Sequence, residues 1–297
     1  MNESLPRVSI VLPTYNGAKY IRKSVDSCLN QTYKNIELII VDDASIDETR
    51  DIIKSYKDNR IKYIKNEENL GLSKSLNKGF SQSSGEYLTW TSDDNFYSEE
   101  AIGLMAEKLN IYKKIDFVYA DYYIIDENGN FVRKINVGPI KELDRTNCIG
   151  PCFLYRRKIY EKIGDFNPEI VVVEDYEYWL RVREKFRMKR INSYLYYYRQ
   201  HKESLSNKYG LEITEDINEI IRDGYISLST KYCLEGEKLY YKNDYSRAKK
   251  LFIKSLLLNP FNLYSLRVLS FIFLPPHLAE KIRKIKREIL KLFFTKK

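Results

Sequence analysis

Tyr87 to Phe96 read YLTWTSDDNF. An apolar run ends abruptly in Asp93-Asp94-Asn95, the pattern of a buried strand that stops at two adjacent carboxylates. Two such groups side by side repel each other and lose hydration, and a cation relieves both penalties. Carboxylate oxygens suit Mg2+ or Mn2+. In an open α/β sheet, ligands bind at the carboxyl ends of the strands, where a divalent ion can hold a diphosphate. The competing reading is a turn leading into a helix capped by Ser98, with Glu99 and Glu100 in its first turn. The sequence on either side decides between them.

Upstream, Arg7–Pro13 (RVSIVLP), Ile36–Val41 (IELIIV) and Ile61–Ile64 are short apolar runs of strand length. Helical spacing separates them over Tyr20–Leu29 and follows them over Leu72–Ser83. Ser45 with Glu48 three residues on has the form of a capping box. Downstream, Glu99–Tyr112 reads as a helix and Asp116–Tyr122 as a strand. Strand and helix alternate from residue 7 to 122, which predicts parallel βα units with helices on both faces of one sheet. Asp126-Glu127-Asn128-Gly129-Asn130 predicts a hairpin turn, Tyr176–Phe186 a helix and Ile191–Tyr198 a strand.

From about residue 212 the chain reads as helical, so the expected division is an α/β domain over 1–211 and a helical extension over 212–297. Gly236, Tyr240, Tyr245, Ala248, Phe252 and Leu256, before Asn259-Pro260, have the spacing of one tetratricopeptide-like hairpin. Pro275–Lys297 is a basic amphipathic segment suited to a membrane surface, preceded by Phe271, Ile272 and Phe273.

A hydrophobic content of 43% over 297 residues can build a sizeable core. No apolar stretch reaches the roughly 18 residues of a transmembrane helix. MNESLPRVSIVLP enters a strand directly, without a signal-peptide pattern. Four scattered cysteines and two histidines argue against a zinc site and for free thiols in a reducing cytosol. The net charge of +9 suits phosphate-bearing substrates or an anionic membrane. The basic residues lack the aromatic interleaving of a nucleic-acid module, so no nucleic-acid partner is expected. The 26 tyrosines read as compositional bias.

No G-x-G-x-x-G follows the first strand and no G-x-x-x-x-G-K-[ST] occurs, which disfavours dinucleotide and P-loop folds. Instead the first strand ends in Pro13-Thr14-Tyr15-Asn16-Gly17, the second in Asp42-Asp43-Ala44-Ser45 and the fourth in Asp93-Asp94-Asn95. In a parallel sheet these ends share one edge. There Tyr15 can stack on a base, Asp42 or Asp43 can accept its ring N–H, and Asp93 or Asp94 can hold a metal on the diphosphate. Lys74, after the turn at Asn69-Leu70-Gly71, adds a cation. Each motif alone has a plain reading as a turn or cap, but three at successive strand ends are a poor fit to coincidence.

VSIVLPTYNG, IELIIVDDASID, NLGLSKSLNKGF and GEYLTWTSDDN, in this order and spacing, resemble the inverting family-2 glycosyltransferases over about residues 7–205. The resemblance implies an α/β fold of GT-A type: an open, mostly parallel twisted sheet with helices on both faces. It implies a nucleoside-diphosphate sugar donor, with UDP common among similar enzymes, and Mg2+ or Mn2+ as cofactor. On this pattern Thr14, Tyr15 and Asn16, following Pro13, line the nucleoside pocket. Asp42 or Asp43 faces the base, with Asp43 preferred, and Lys74 lies near the base or phosphates. Asp93 and Asp94 form the metal-binding motif. Many members carry an Asp where Thr91 stands; here T-S-D-D leaves Asp94 the favoured direct ligand.

Val173–Arg181 (VEDYEYWLR) resembles the family's base-bearing segment. Inverting transfer needs one carboxylate to deprotonate the acceptor hydroxyl. The resemblance makes Asp175 that base, against the simpler reading of acidic residues complementing a helix dipole. Glu174 beside it orients it or touches the donor sugar. Ile149–Phe153 resembles the acceptor-side loop, and His201 stands where similar enzymes reach the metal or diphosphate, with Arg199 a second candidate. The expected partners are the donor sugar nucleotide, a glycan or glycolipid acceptor and a membrane surface. The expected location is the cytoplasm, peripheral on the inner face of the membrane, in surface polysaccharide synthesis. A sugar-1-phosphate nucleotidyltransferase would need a Gly- and Arg-rich loop after the first strand, which PTYNGAKYIRK does not supply. The alternative from another class is a catalytically inactive nucleotide-sugar-binding scaffold recruiting a partner through its helical C-terminus.

Overall fold

Every residue of β1 (Val8–Thr14) and β2 (Ile36–Asp42) is buried. Parallel strands that lose water on both faces lie between two helical layers, and their sequences run apolar without alternation for that reason. The structure, a computed structural model, describes residues 5–208, 217, 220 and 224–272. The chain divides into two compact units, Met1–Tyr225 and Ile226–Lys297.

The first unit holds one sheet. Its further strands are β3 (Ile61–Lys65), β4 (Tyr87–Trp90), β5 (Phe96–Tyr97), β6 (Phe117–Ile125), β7 (Phe131–Ile135), β8 (Phe153–Arg156) and β9 (Met188–Arg199). Their order is β3-β2-β1-β4-β8-β6-β9-β5, with β7 paired to β6. β3, β2, β1 and β4 are parallel, and the registers Thr14↔Asp42 and Val11↔Trp90 bring the carboxyl ends of β1, β2 and β4 to one edge. Beyond β4 the sheet is mixed: β8 is antiparallel to both β4 and β6, while β9 is parallel to β6. The alternating sequence predicts the parallel half. β5 and β8, only two and four residues long, carry no readable period.

Helices α1 (Ile21–Leu29) and α4 (Ala101–Ile111) cover one face, with Ile21, Val25, Ile102 and Met105 packed among Ile10, Leu12, Leu38 and Ile40. The other side chains of the same strands meet α3 (Leu72–Ser81). Gly79 of α3 lies against Val11 and Val41, and a Cβ there would overlap Val11, so only glycine permits this approach. Helices α2 (Thr49–Ser55), α5 (Arg157–Ile163), α6 (Glu174–Lys185) and α7 (Leu205–Lys208) complete the unit. α6 is anchored by the fully buried Trp179, set edge-on to Phe153 at 4.7 Å and to Phe117 at 4.8 Å between ring centroids.

Two caps expected from the sequence do not form. Ser45 accepts a hydrogen bond from the backbone of Asn16 rather than capping, and α2 starts at Thr49 without a side-chain cap. Ser98 Oγ is buried without a partner among the described residues, and α4 starts uncapped at Ala101. The reading of Asp93-Asp94-Asn95 as the prelude to a Ser98-capped helix therefore fails at the cap itself. The hairpin turn forms as expected: Asp126 Oδ1 accepts from the N–H groups of Asn128 and Asn130, and Gly129 takes a positive φ of 91°.

In the second unit, α8 (Leu228–Tyr241), α9 (Tyr245–Leu258) and α10 (Leu263–Ile272) pack around Cys233, Ala248, Phe252 and Leu269. Ser227 and Asp244 cap α8 and α9. Gly236 faces the Phe252 ring, where a Cβ would sit only 3.2 Å away. The expected boundary at 211/212 and the basic segment 275–297 lie outside the described residues. No helix among the described residues is long and apolar enough to cross a membrane.

Removing Trp179 takes the largest side chain from the cluster that seats α6. Trp179→Ala is expected to lower the stability of the protein by about 3–5 kcal/mol. Urea unfolding of the full chain reads this, and a loss below about 1 kcal/mol would contradict the anchoring role.

Candidate active site

The edge built by β1, β2 and β4 is held together by side chains that reach from one strand end to the next. The missing N–H of Pro13 falls on the β4 side of β1, beyond the last pair Val11↔Trp90, so no ladder bond is lost. Thr14 Oγ1 donates to Asp93 Oδ2 at 2.5 Å. Asn16, at a φ of 54°, closes a two-way clasp on the β2 loop: its N–H donates to Ser45 Oγ at 2.9 Å, and its Oδ1 accepts from Ile46 N at 2.9 Å. Ala44 is also left-handed, with φ 64°. Strained positions on both loops mark an over-determined local structure. Gly17 lies so close to Asp93 that a Cβ would overlap the carboxylate. Tyr15 is 49% exposed, with its ring free to stack.

The two β2 carboxylates differ in surroundings. Asp42 is fully buried, with Oδ1 accepting from Ser45 N at 2.8 Å and Oδ2 from Tyr63 OH at 2.6 Å. Burial and this contact push the Tyr63 hydroxyl well above its ordinary range. Asp43 organises the following loop. Its Oδ1 accepts from Asn66 Nδ2 at 2.7 Å and Leu70 N at 2.9 Å, and its Oδ2 from Gly71 N at 2.8 Å. Asn66, at the end of β3, was not singled out from the sequence. Lys78 Nζ donates to Asn66 Oδ1 at 2.7 Å, while Lys74 lies exposed one turn earlier on α3.

The acidic pair at the end of β4 is asymmetric. Burial, and then the neighbouring negative charge of Asp94, push Asp93 up to about 7, against the pull of Thr14 and the backbone N–H of Tyr15. Asp94 Oδ2 meets His201 Nε2 at 2.9 Å; with Asp94 ionised, the imidazole nitrogen is the donor. Asp94 Oδ1 is buried with no hydrogen-bond partner among the described residues. Arg199 is buried beneath this loop. Its Nε donates to Asp94 O at 2.9 Å, and its Nη1 to Glu127 O at 3.0 Å and Asp126 O at 3.2 Å. Its N–H donates to Asn95 Oδ1 at 2.7 Å, and its guanidinium lies 4.5 Å from the Tyr20 ring. With Nε and Nη1 engaged by backbone carbonyls, Arg199 shapes the acidic loop. Thr91 is buried, its hydroxyl 2.6 Å from Tyr196 OH.

Asp175 and Glu174 stand on the first turn of α6. Glu174 is buried. Asp175 Oδ2 accepts from Asn147 Nδ2 at 2.9 Å and Oδ1 from Tyr176 N at 2.6 Å. Burial pushes its carboxyl above the usual carboxylate range, opposed by these two donors. Tyr122 of β6 feels the Asp175 charge and lies against Gly150, whose φ is 72°. No hydrogen bond joins Asp175 to the acidic pair among the described residues. β6, which carries Tyr122, pairs along its length with β9, which ends in Arg199.

Replacing Arg199 leaves the carbonyls of Asp94, Asp126 and Glu127 without that donor. Arg199→Met is expected to destabilise the first unit by about 2–4 kcal/mol, measured by urea unfolding. A loss below about 0.5 kcal/mol would mean that the clamp carries no weight.

Residues 9–164 match Glycosyl transferase family 2. A glycosyltransferase of Methanocaldococcus jannaschii is 30% identical over 292 residues, covering 93% of this chain and 92% of the relative. A glycosyltransferase of Rickettsia felis is 35% identical over 198 residues, and there the match covers 61% of this chain and only 32% of the relative's length. Among solved structures, S. aureus TarS 1–349 in complex with UDP superposes with a TM-score of 0.60 at 22% identity, covering 84% of this chain and 75% of that one. The mannosyltransferase PcManGT from Pyrobaculum calidifontis, in complex with GDP-Man and Mn2+, gives 0.59 at 16% identity, covering 98% and 81%. At such identities the structural likeness speaks for the fold, which is of GT-A type. The match over residues 9–164 and the relative aligned along nearly the whole chain place this protein in glycosyl transferase family 2.

Proposed function

We propose that the protein is a metal-dependent inverting glycosyltransferase that moves a sugar from a nucleoside diphosphate, UDP in the first instance, to a hydroxyl of a glycan or glycolipid. The observation that carries this reading is the acidic pair: a buried, unpartnered Asp94 oxygen beside an Asp93 carboxyl held high by burial and by Asp94. Such a pair fits a divalent cation. No three His, Cys, Asp or Glu side chains form a ready-made metal set among the described residues. An ion there would be bound through one or two carboxylates and completed by phosphate oxygens and water. Asp94 through Oδ1 and Asp93 would hold it, and His201 would join them only on giving up the bond of its Nε2 to Asp94 Oδ2; when bound, the ion supplies positive charge against the leaving diphosphate. The complexes of the structural neighbours with UDP and with GDP-Man and Mn2+ support a donor of this class.

The chain's own residues divide the remaining work. Tyr15 stacks on the base, with Thr14 and Asn16 shaping the pocket behind Pro13. Asp43 accepts the base N–H, as the family pattern implies; both carboxylates are buried and hold protein donors, Asp42 from Ser45 and Tyr63 and Asp43 from Asn66, Leu70 and Gly71. Exposed Lys74 lies near the base or phosphates. Asp175 takes the proton from the acceptor hydroxyl as that oxygen attacks the anomeric carbon. The bond from that carbon to the diphosphate oxygen breaks, and the diphosphate leaves with the electron pair. A single displacement inverts the anomeric centre. A carboxyl raised by burial is a better base near neutral pH than a solvated one. Glu174 orients Asp175 or touches the donor sugar. Surface polysaccharide is the product class, and the basic segment 275–297 is the membrane contact.

Calorimetric titration is expected to show one nucleoside diphosphate binding with Mn2+ and losing at least about tenfold in affinity in excess EDTA or in Asp94→Asn. Asp93 is protonated below its value of about 7 and must release that proton before a cation binds. Metal-dependent affinity therefore rises as pH increases through that value. Binding unchanged by EDTA would remove the metal from the reading.

Asp175→Asn is expected to keep diphosphate binding while losing transfer by about 10²–10⁴-fold. Full transfer activity in that variant would exclude Asp175 as the base. Tight donor binding with no turnover by the unaltered protein across many acceptors would favour the inactive scaffold.

A further inference from the structure

Asn147 lies in the loop before β8, just ahead of the acceptor-side stretch Ile149–Phe153, and it reaches α6. Its Nδ2 donates to Asp175 Oδ2 at 2.9 Å, and its own Oδ1 accepts from Ile149 N at 3.3 Å. The second contact decides which end of the amide faces the carboxylate, because a backbone N–H can only be met by the oxygen. Tyr176 N donates to Asp175 Oδ1. Each carboxylate oxygen thus has a donor from another residue, and the carboxylate keeps a lone pair for an incoming proton. The loop that carries Asn147 passes through Gly150, left-handed at φ 72°, where a Cβ would come within 2.8 Å of the Tyr122 ring. The loop is therefore seated against β6 at the same point where Tyr122 meets the Asp175 charge.

We propose that Asn147 is the positioning residue for Asp175, fixing the carboxylate's orientation from the acceptor-side loop and favouring its charged form. The inference rests on Asp175 as the base. The titratable groups set against that carboxyl are Glu174 beside it on α6 and Tyr122 across from it on β6, whose hydroxyl is pushed up to about 12, mainly by burial. No lysine or arginine acts on Asp175 among the described residues. With no cation at hand, the donors of Asn147 and Tyr176 and the backbone N–H of Asp175 itself are what oppose the effect of burial on Asp175. Of the three, only Asn147 acts through a side chain that can be exchanged.

A carboxyl-carbon NMR titration of the aspartate-labelled full chain tests this, with Asp175 assigned by the signal lost in Asp175→Asn. Asn147→Ala is expected to raise the Asp175 midpoint by about one pH unit. Asn147→Asp keeps the shape and the contact to Ile149 N but replaces the donor with a like charge, so it should raise the midpoint further. A midpoint that moves by less than about 0.3 unit in both variants, or that falls, would overturn the proposal. The titration reads Asn147 whether or not Asp175 is the base. Transfer by Asp175→Asn reads the base role separately, so failure of one is distinguishable from failure of the other.

Discussion

Asp93 and Asp94 stand side by side at the end of β4, and their mutual repulsion is restrained from every direction. Thr14 and the Tyr15 backbone hold one carboxylate from the β1 loop, and His201 holds the other from beyond β9. Arg199 grips the backbone beneath them. The restraint is uneven. Asp93 is pushed toward its protonated form, while Asp94 keeps one oxygen without a donor. A buried carboxylate oxygen without a donor among the described residues is therefore left open, an arrangement in which a cation gains from binding. Gly17 belongs to the same constraint, because no side chain fits between its loop and Asp93.

Helix α3 ties this edge to the far side of the site. At its start, Gly71 N and Leu70 N are held by Asp43. In its middle, Asn77 exchanges two hydrogen bonds with the backbone of Phe166, Nδ2 to O and N to Oδ1, both at 2.8 Å. Ser73 Oγ donates to Ile170 O at 3.2 Å. The segment leading into α6, and so to Asp175, hangs from the same helix whose first turn is set by Asp43. The closeness of Gly79 to Val11 and Val41 fixes α3 against the sheet, so both attachments inherit the rigidity of β1 and β2.

The parallel half of the sheet was legible because buried strands write themselves as continuous apolar runs with turn residues at their ends. RVSIVLP and IELIIV each match an observed strand to within a residue. The carboxylates were legible because they end those runs. What escaped reading was local or cooperative. β5 and β8 are too short to show a period, and Ser45 and Ser98 have cap chemistry but are drawn into other contacts or left alone. Asn66 and Asn147 act only through partners far away in sequence, Asp43 and Asp175, and nothing in their neighbourhoods announces those contacts. The tyrosines, first read as bias, include a stacked row. Tyr123 lies 5.0 Å from both Tyr194 and Tyr197, and Tyr197 lies 4.6 Å from Phe96. That row depends on the pairing of β6 with β9, and β5 with β9, which no single segment encodes.

The same pairing accounts for the departure at Thr91, where the family resemblance implies an acid. Below the acidic pair, β4 turns hydroxyls and not carboxylates toward its neighbours. Thr89 Oγ1 meets Tyr97 OH at 3.1 Å and donates to Phe153 O, while Thr91 Oγ1 meets Tyr196 OH at 2.6 Å. All four of these side chains are buried, and Tyr196 packs edge-on against Tyr97 at 4.9 Å. A carboxylate at 91 would enter an aromatic layer with no cation and would add a third negative charge behind Asp93 and Asp94. A hydroxyl can both donate and accept, so it satisfies the phenol without charge. With Thr91 neutral, the charge of the β4 end is confined to Asp93 and Asp94, and a buried oxygen of Asp94 has no donor among the described residues.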